Sequence, residues 1–254
     1  MKSVVEIEKS IIKKYRKEIY SRFIRAVKDF SLIEEGDHIC CCISGGKDSF
    51  LMAKCLQELQ KHSKYHFNLT YLVMNPGYTE ENLNKIKNNA EYLKIPIVIK
   101  DSNIFEVIQE NDSPCYLCAR MRRGCLYSMA QDLGCNKIAL GHHFNDVIET
   151  ILLNQLYNGQ FSGMLPILDS DNFKGMKLIR PLFYIHEKDI LSWVKNSELT
   201  FLDCACIVTK KSSGKRKEVK ELVKYLNELY PNSDINLFNS MFHVNPNTTK
   251  VIDK

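Results

Sequence analysis

Apolar residues recur over the first 35 positions at Ile7, Ile11, Ile12, Tyr15, Ile19, Phe23, Val27 and Phe30, near the 3.6-residue period of an amphipathic helix. Gly36 and Asp37 then stop it. The next stretch, His38-Ile39-Cys40-Cys41-Cys42-Ile43, is a continuous apolar run and predicts a short buried strand. Helical spacing returns over residues 49–59 through Phe50, Leu51, Cys55, Leu56 and Leu59. A second strand is predicted at Phe67-Asn68-Leu69-Thr70-Tyr71-Leu72-Val73-Met74, closed by Asn75-Pro76-Gly77. A helix over 80–93, a strand over 95–100, a helix over about 115–133 and a fourth strand, Lys137-Ile138-Ala139-Leu140, complete the series.

Strands alternating with helices of this length pair in parallel through right-handed crossovers. Ligands of such sheets bind beyond the carboxyl ends of the strands. Three stretches therefore share one rim: residues 44–49, Asn75-Pro76-Gly77 and Gly141-His142-His143. The 254 residues suffice for one large α/β domain with an extra lobe. The expected division is a helical N-terminal extension over 1–35, an α/β domain over 36–206 and a basic helical extension over 207–254.

The first strand runs into Ser44-Gly45-Gly46-Lys47-Asp48-Ser49 and then directly into a helix. Two glycines let a backbone approach an anion closely, and the unpaired N–H groups of a first helical turn point at it. Ser44, Lys47 and Ser49 add hydroxyl and ammonium donors. The segment lacks the spacing of the kinase and G-protein P-loop and the separated glycines of a dinucleotide fingerprint. It resembles the PP-loop of the ATP pyrophosphatases, enzymes that adenylate a carbonyl oxygen and release pyrophosphate.

Thirty-five Lys and Arg against thirty Asp and Glu give a formal charge of +5, which permits a polyanionic partner. The basic residues gather at Lys13-Lys14-Tyr15-Arg16-Lys17, at Arg120-Met121-Arg122-Arg123 and over residues 210–217. Each patch reads either as a phosphate-binding surface or as a solvated helix face. No apolar run approaches a membrane span and the first residues lack a signal-peptide core, so a cytoplasmic protein without membrane attachment is expected. The ten cysteines are then thiols or metal ligands rather than disulfides. Cys40, Cys41, Cys42, Cys55 and Cys135 are expected to serve as small core residues.

Cys115 and Cys118 differ, because three residues apart at a helix start they share a face, with Cβ atoms about 5–6 Å apart. A pair so placed suits a redox dithiol, half of a zinc site or two ligands of an iron–sulfur cluster. Cys125 lies seven residues beyond Cys118, about 10.5 Å along the helix and too far to join the same small cluster. Asp203-Cys204-Ala205-Cys206 offers further ligands, at a spacing poor for zinc.

Taken in order, the 44–49 loop, Cys115-Tyr116-Leu117-Cys118-Ala119-Arg120-Met121-Arg122-Arg123-Gly124, Lys137-Ile138-Ala139-Leu140-Gly141-His142-His143, Ile179-Arg180-Pro181-Leu182 and Glu187-Lys188-Asp189-Ile190 resemble the tRNA 2-thiocytidine synthetases of the PP-loop superfamily. The resemblance spans about Ile39 to Cys206. It implies a three-layer α/β fold of the HUP-like, adenine nucleotide alpha hydrolase-like kind, with ATP as co-substrate and Mg²⁺. It also implies a [4Fe-4S] cluster on Cys115, Cys118 and a third cysteine, Cys204 by its distance from Pro181, with Cys206 as the alternative. The open iron of such a cluster would carry sulfide to an adenylated anticodon-loop cytidine of tRNA.

Ser44, Gly45, Gly46, Lys47, Asp48, Ser49, Gly141 and His142 would bind ATP, while Asp48, Asp146 and Arg122 would act in catalysis. Arg123, Lys215, Arg216 and Lys217 would contact tRNA, and Tyr116, Phe144, Tyr157 and Phe161 could stack on a flipped base or belong to the core. Members usually carry two acids where this chain has Asn145-Asp146; an amide cannot hold Mg²⁺ by charge or act as a base, whereas Asp146 can. His142 and His143 read equally as nucleotide contacts and as packing. A cysteine desulfurase or free sulfide would donate sulfur to what would be a homodimer. Two other readings stay open: another PP-loop tRNA enzyme, of the 2-thiouridine or lysidine type, and a non-catalytic redox-sensing nucleotide binder.

Overall fold

The computed structural model describes residues 2–102, 114–202 and 209–247, with side chains over 2–102, 123–202 and 214–247. The chain forms two compact units, Met1–His143 with Pro166–Lys210, and Phe144–Leu165 with Lys211–Lys254.

The first unit is built on strands β1 (His38–Cys42), β2 (Asn68–Asn75), β3 (Ile97–Asp101), β4 (Lys137–Ala139), β5 (Ile167–Asp169) and β6 (Lys177–Ile179). They form one sheet in the order β3-β2-β1-β4-β6-β5. All neighbours are parallel except β5 and β6. The connections are helices α3 (Lys47–His62), α4 (Glu80–Tyr92) and α5 (Pro114–Asp132), preceded by α1 (Val4–Lys9) and α2 (Ser21–Asp29) and followed by α7 (Glu187–Ser197). The second unit holds α6 (Phe144–Asn158), α8 (Thr209–Leu229) and α9 (Ser233–Ser240). The mostly parallel three-layer α/β architecture expected from the sequence is present.

The strand order reverses direction at β1. Crossovers through α3 and α4 step to β2 and β3, and α5 then returns the chain to β4 on the other side of β1. Crossovers of one hand that travel in opposite directions lie on opposite faces of the sheet. The side chains of β1 register both faces. Cys40 and Cys42 pack with Tyr127 and Ala130 of α5, together with Cys135, Ile138 and Leu178. Cys41 points the other way, where it and Cys55 of α3 are both fully buried.

The N-terminal helix is not a plain α-helix. Two π-helical stretches, Ser10–Lys14 and Arg16–Tyr20, separate α1 from α2. Ile7, Ile11, Tyr15, Ile19 and Phe23 are all buried, a strict four-residue spacing. In an α-helix such a stripe rotates about 40° off line at every step. The wider turns, with bonds such as Tyr15 N–H to Ser10 O at 2.8 Å, absorb that excess and keep the stripe on the core. Buried Lys54 of α3 fastens this segment by donating to Glu8 Oε1 at 2.5 Å, Gln57 Oε1 at 2.7 Å and Leu93 O at 3.0 Å.

A second buried lysine locks the amino-terminal rim. Lys137 Nζ, at the start of β4, meets Asp37 Oδ2 at 2.7 Å, Glu34 Oε2 at 3.0 Å and Leu32 O at 3.2 Å. Asp37 is itself buried, so removal of the ammonium leaves a carboxylate inside without its counter-ion. Lys137→Met is expected to lower unfolding free energy by about 3–5 kcal/mol, read from denaturant midpoints, with part of the loss recovered when Asp37→Leu is added.

Candidate active site at the sheet switch point

At a strand-order reversal the loops leaving the two central strands open a crevice. Here those loops are residues 43–46 after β1 and 140–143 after β4. They touch. A Cβ on Gly141 would lie 3.1 Å from both the Asp48 carbonyl carbon and the Ser49 nitrogen, so a side chain there would press the two loops apart. His143 Nε2 lies 3.9 Å from Asp48 Oδ1. Sequence reasoning expected both loops on one rim, and the structure brings Ser44, Gly45, Gly46, Lys47, Asp48 and Ser49 together with Gly141, His142 and His143.

The loop after β1 is internally braced. Ser49 Oγ donates to Gly46 O at 2.8 Å and accepts from Ser44 N–H at 3.2 Å. Gly45 has φ +87°, and a Cβ there would fall 2.8 Å from Ile86 Cγ1 and from Leu202 Cδ1. Gly46 is the N-cap of α3 and no side chain caps that helix. Its first-turn N–H groups therefore remain donors available to an anion. Lys47 Nζ stands 3.1 Å from Asp48 Oδ2 and 3.7 Å from Glu187 Oε1 of α7, holding a cation beside that helix end. Glu187 belongs to a motif the sequence reading quoted without giving it a role; its place beside Lys47 is a contact across 140 positions that no local pattern reveals.

Leu202 was also missed. Its N–H donates to Gly45 O at 3.0 Å, clipping the chain to the glycine pair two residues before Cys204 in the sequence. Cys204 and Cys206 lie outside the described residues. Cys115 and Cys118 lie in the opening turns of α5, whose side chains are described only from Arg123 onward. The position of that end follows from the path of the chain: α5 feeds the start of β4 through residues 133–136, so its other end is at the rim that carries the 44–49 loop. Partway along, Cys125, Leu126 and Met129 pack on Met74 near the carboxyl end of β2. Arg123 is exposed, and the Arg122 side chain lies outside the described residues.

Among the described residues, no three His, Cys, Asp or Glu side chains are grouped to hold a metal ion. Metal ligation needs thiolates. Burial pushes the Cys41 and Cys55 thiols well up, and the Cys135 thiol is raised by its hydrogen bond with Cys40 and then by burial. Those cysteines are taken up in packing between the sheet and its helices. Cys115 and Cys118 keep helical spacing within α5, and Cys204 follows Leu202 by two positions in the sequence; as residue types, three cysteines suit an iron–sulfur cluster.

In the second unit, Asp146 occupies the first turn of α6. Arg216 of α8 spans it and Glu149, with Nη2 at 3.4 Å from Asp146 Oδ1 and Nε at 3.2 Å from Glu149 Oε2. Burial, and after it the Asp146 charge, raise the Glu149 pKa against the pull of Arg216. Lys215 and Lys217 are exposed on the same helix. A cavity of about 700 Å³ lined by Ile24, Val27, Ile33 and Leu59 lies by the far end of α3. The uncapped helix and its lysine single out the switch point as the reactive end.

A family model described as a PP-loop domain matches residues 16–206. The tRNA-cytidine(32) 2-sulfurtransferase of Pelobacter propionicus is 36% identical over 226 residues, covering 87% of this chain and 84% of that protein. That of Geobacter metallireducens is 36% identical over 238 residues, covering 92% of each. Among solved structures, the U34-tRNA thiolase NcsA from Methanococcus maripaludis, with its [4Fe-4S] cluster, superposes with a TM-score of 0.68 at 22% identity, over 89% of this chain and 81% of that one. That last likeness is one of fold.

Gly141→Ala is expected to force the two loops apart by a few tenths of an ångström. ATP binding should weaken about tenfold, on the 1–3 kcal/mol scale of an overpacked contact, as measured by calorimetric titration.

Proposed function

We propose, because the chain belongs to the PP-loop family of tRNA-cytidine(32) 2-sulfurtransferases, that it converts an anticodon-loop cytidine of tRNA, the one at position 32, to 2-thiocytidine. The protein is an ATP-using transferase of that family. The observation that carries the reading is the uncapped start of α3, with Lys47 beside it, at the crevice between the loops after β1 and β4.

The oxygen at C2 of cytosine is a poor leaving group. Its attack on the α-phosphate of ATP forms an adenylate and expels pyrophosphate. Sulfide then adds at C2, and the C–O bond breaks to release AMP with the oxygen. No electrons are gained or lost overall. The amides of the 44–49 loop, Lys47 and the hydroxyls of Ser44 and Ser49 hold the β and γ phosphates as negative charge builds on pyrophosphate. Asp48 or Asp146 would hold Mg²⁺, and Gly141 and His142 would border the adenosine. Arg122 would act on the α-phosphate. Arg123, Lys215, Arg216 and Lys217 take tRNA phosphates, contacts that position RNA without reading its sequence.

Cys115, Cys118 and Cys204 would hold a [4Fe-4S] cluster, which when bound would supply the sulfide. Support for these ligands is the Cys-x-x-Cys spacing at the start of α5, together with the packing of Cys40, Cys41, Cys42, Cys55 and Cys135 into the core. A cysteine desulfurase or free sulfide replenishes the sulfur, and the working form is a homodimer.

Incubated without oxygen with ATP, sulfide and unmodified tRNA, the protein is expected to yield 2-thiocytidine on nucleoside analysis, with one AMP and one pyrophosphate per thiolation. Cys115→Ala, Cys118→Ala and Cys204→Ala should each lose iron, acid-labile sulfide and product, whereas Cys206→Ala keeps them. Formation of 2-thiouridine would overturn the substrate, and loss of the cluster in Cys206→Ala but not in Cys204→Ala would move the third ligand.

A further inference from the structure

The second unit presents aromatic side chains to solvent at positions the rest of its structure holds still. Phe161 is 55% exposed and Tyr157 41% exposed. Phe161 lies in the short segment after α6, which is braced on both sides. Gln160 N–H donates to Asn154 O at 2.9 Å and Asn154 Nδ2 donates to Ser162 O at 3.0 Å. A Cβ on Gly163 would overlap the Met241 sulfur beside α9, so the segment packs closely on its neighbour. Tyr157 is fixed by its hydroxyl, 2.7 Å from Glu218 Oε2, and by Lys215 Nζ, 4.6 Å from its ring centroid.

A phenyl ring more than half exposed on a braced segment leaves apolar area in water. Its energetic use is on another molecule. Held aromatic faces beside a lysine are the combination that grips unpaired nucleotides: the ring stacks on a base and the cation meets the phosphate. Between Gly214 and Lys224, α8 carries five basic residues against two acidic ones, so the neighbouring charge complements a polyanion. A second copy of the chain would bring the same excess of positive charge to the contact.

We propose that Phe161 and Tyr157, with Lys215, form a stacking platform for an unpaired anticodon-loop base of the tRNA substrate. The inference rests on the tRNA-modifying reading above and names the surface that reading lacks. A base must leave the loop stack before its C2 can be reached, and a platform that takes up a neighbouring base stabilises the opened loop.

The test uses the full chain and an unmodified anticodon stem–loop carrying 2-aminopurine at one loop position at a time. Wild type should quench the probe at one position, and Phe161→Leu, which keeps apolar bulk but removes the ring face, should lose that quench and bind at least about fivefold more weakly. Phe161→Trp should restore both, and ATP affinity and molecular mass in solution should stay as in wild type. Wild type that thiolates tRNA while Phe161→Leu binds and quenches equally overturns the platform alone. A change of mass in Phe161→Leu assigns the face to a second copy and likewise overturns it. Wild type that neither binds the stem–loop nor thiolates tRNA takes the functional reading down with it.

Discussion

The rim of this sheet depends on two backbones lying in van der Waals contact. The loop after β4 presses Gly141 against the Asp48–Ser49 peptide, and that contact fixes where the first turn of α3 points. Side-chain donors could drift by an ångström on their stems. Amides at a helix start cannot, because the helix behind them is buried over residues 49–56. Parallel pairing of β1 with both β2 and β4 then puts every loop of interest at one end. An anion at this place meets a positive pole that required no rearrangement to assemble, which is what stabilising charge in transit demands.

Much of this was legible in the residues. The run 38–43 announced a buried strand, the glycine pair announced a turn with close approach, and helical spacing after Ser49 announced what the turn led into. Three features were not. Strands β5 and β6 have three residues each, too few for an alternation to register. The π-helical stretches were hidden because apolar spacings of four and of 3.6 look alike over one or two turns and diverge only when the burial of Ile7 through Phe23 is traced. The contacts of Lys47 with Glu187 and of Gly45 with Leu202 join positions 140 and 157 apart, and no window along the chain contains them. The cluster cysteines assigned from spacing and resemblance lie outside the residues whose side chains are described.

Cysteine here divides by surroundings rather than by number. Cys40, Cys41, Cys42, Cys55 and Cys135 are buried around the first strand, where a small polarizable side chain fits between a sheet and helices on both faces. Burial raises the thiol pKa of Cys41 and Cys55, which makes them poor nucleophiles at neutral pH.

The bond from Leu202 N–H to Gly45 O has a mechanical meaning. A glycine with φ +87° is the most easily remodelled joint in its loop, and its carbonyl is spoken for by a strand of chain from the far end of the same unit. Any twist of that peptide as a nucleotide arrives or departs must either stretch this clip or drag Leu202 along.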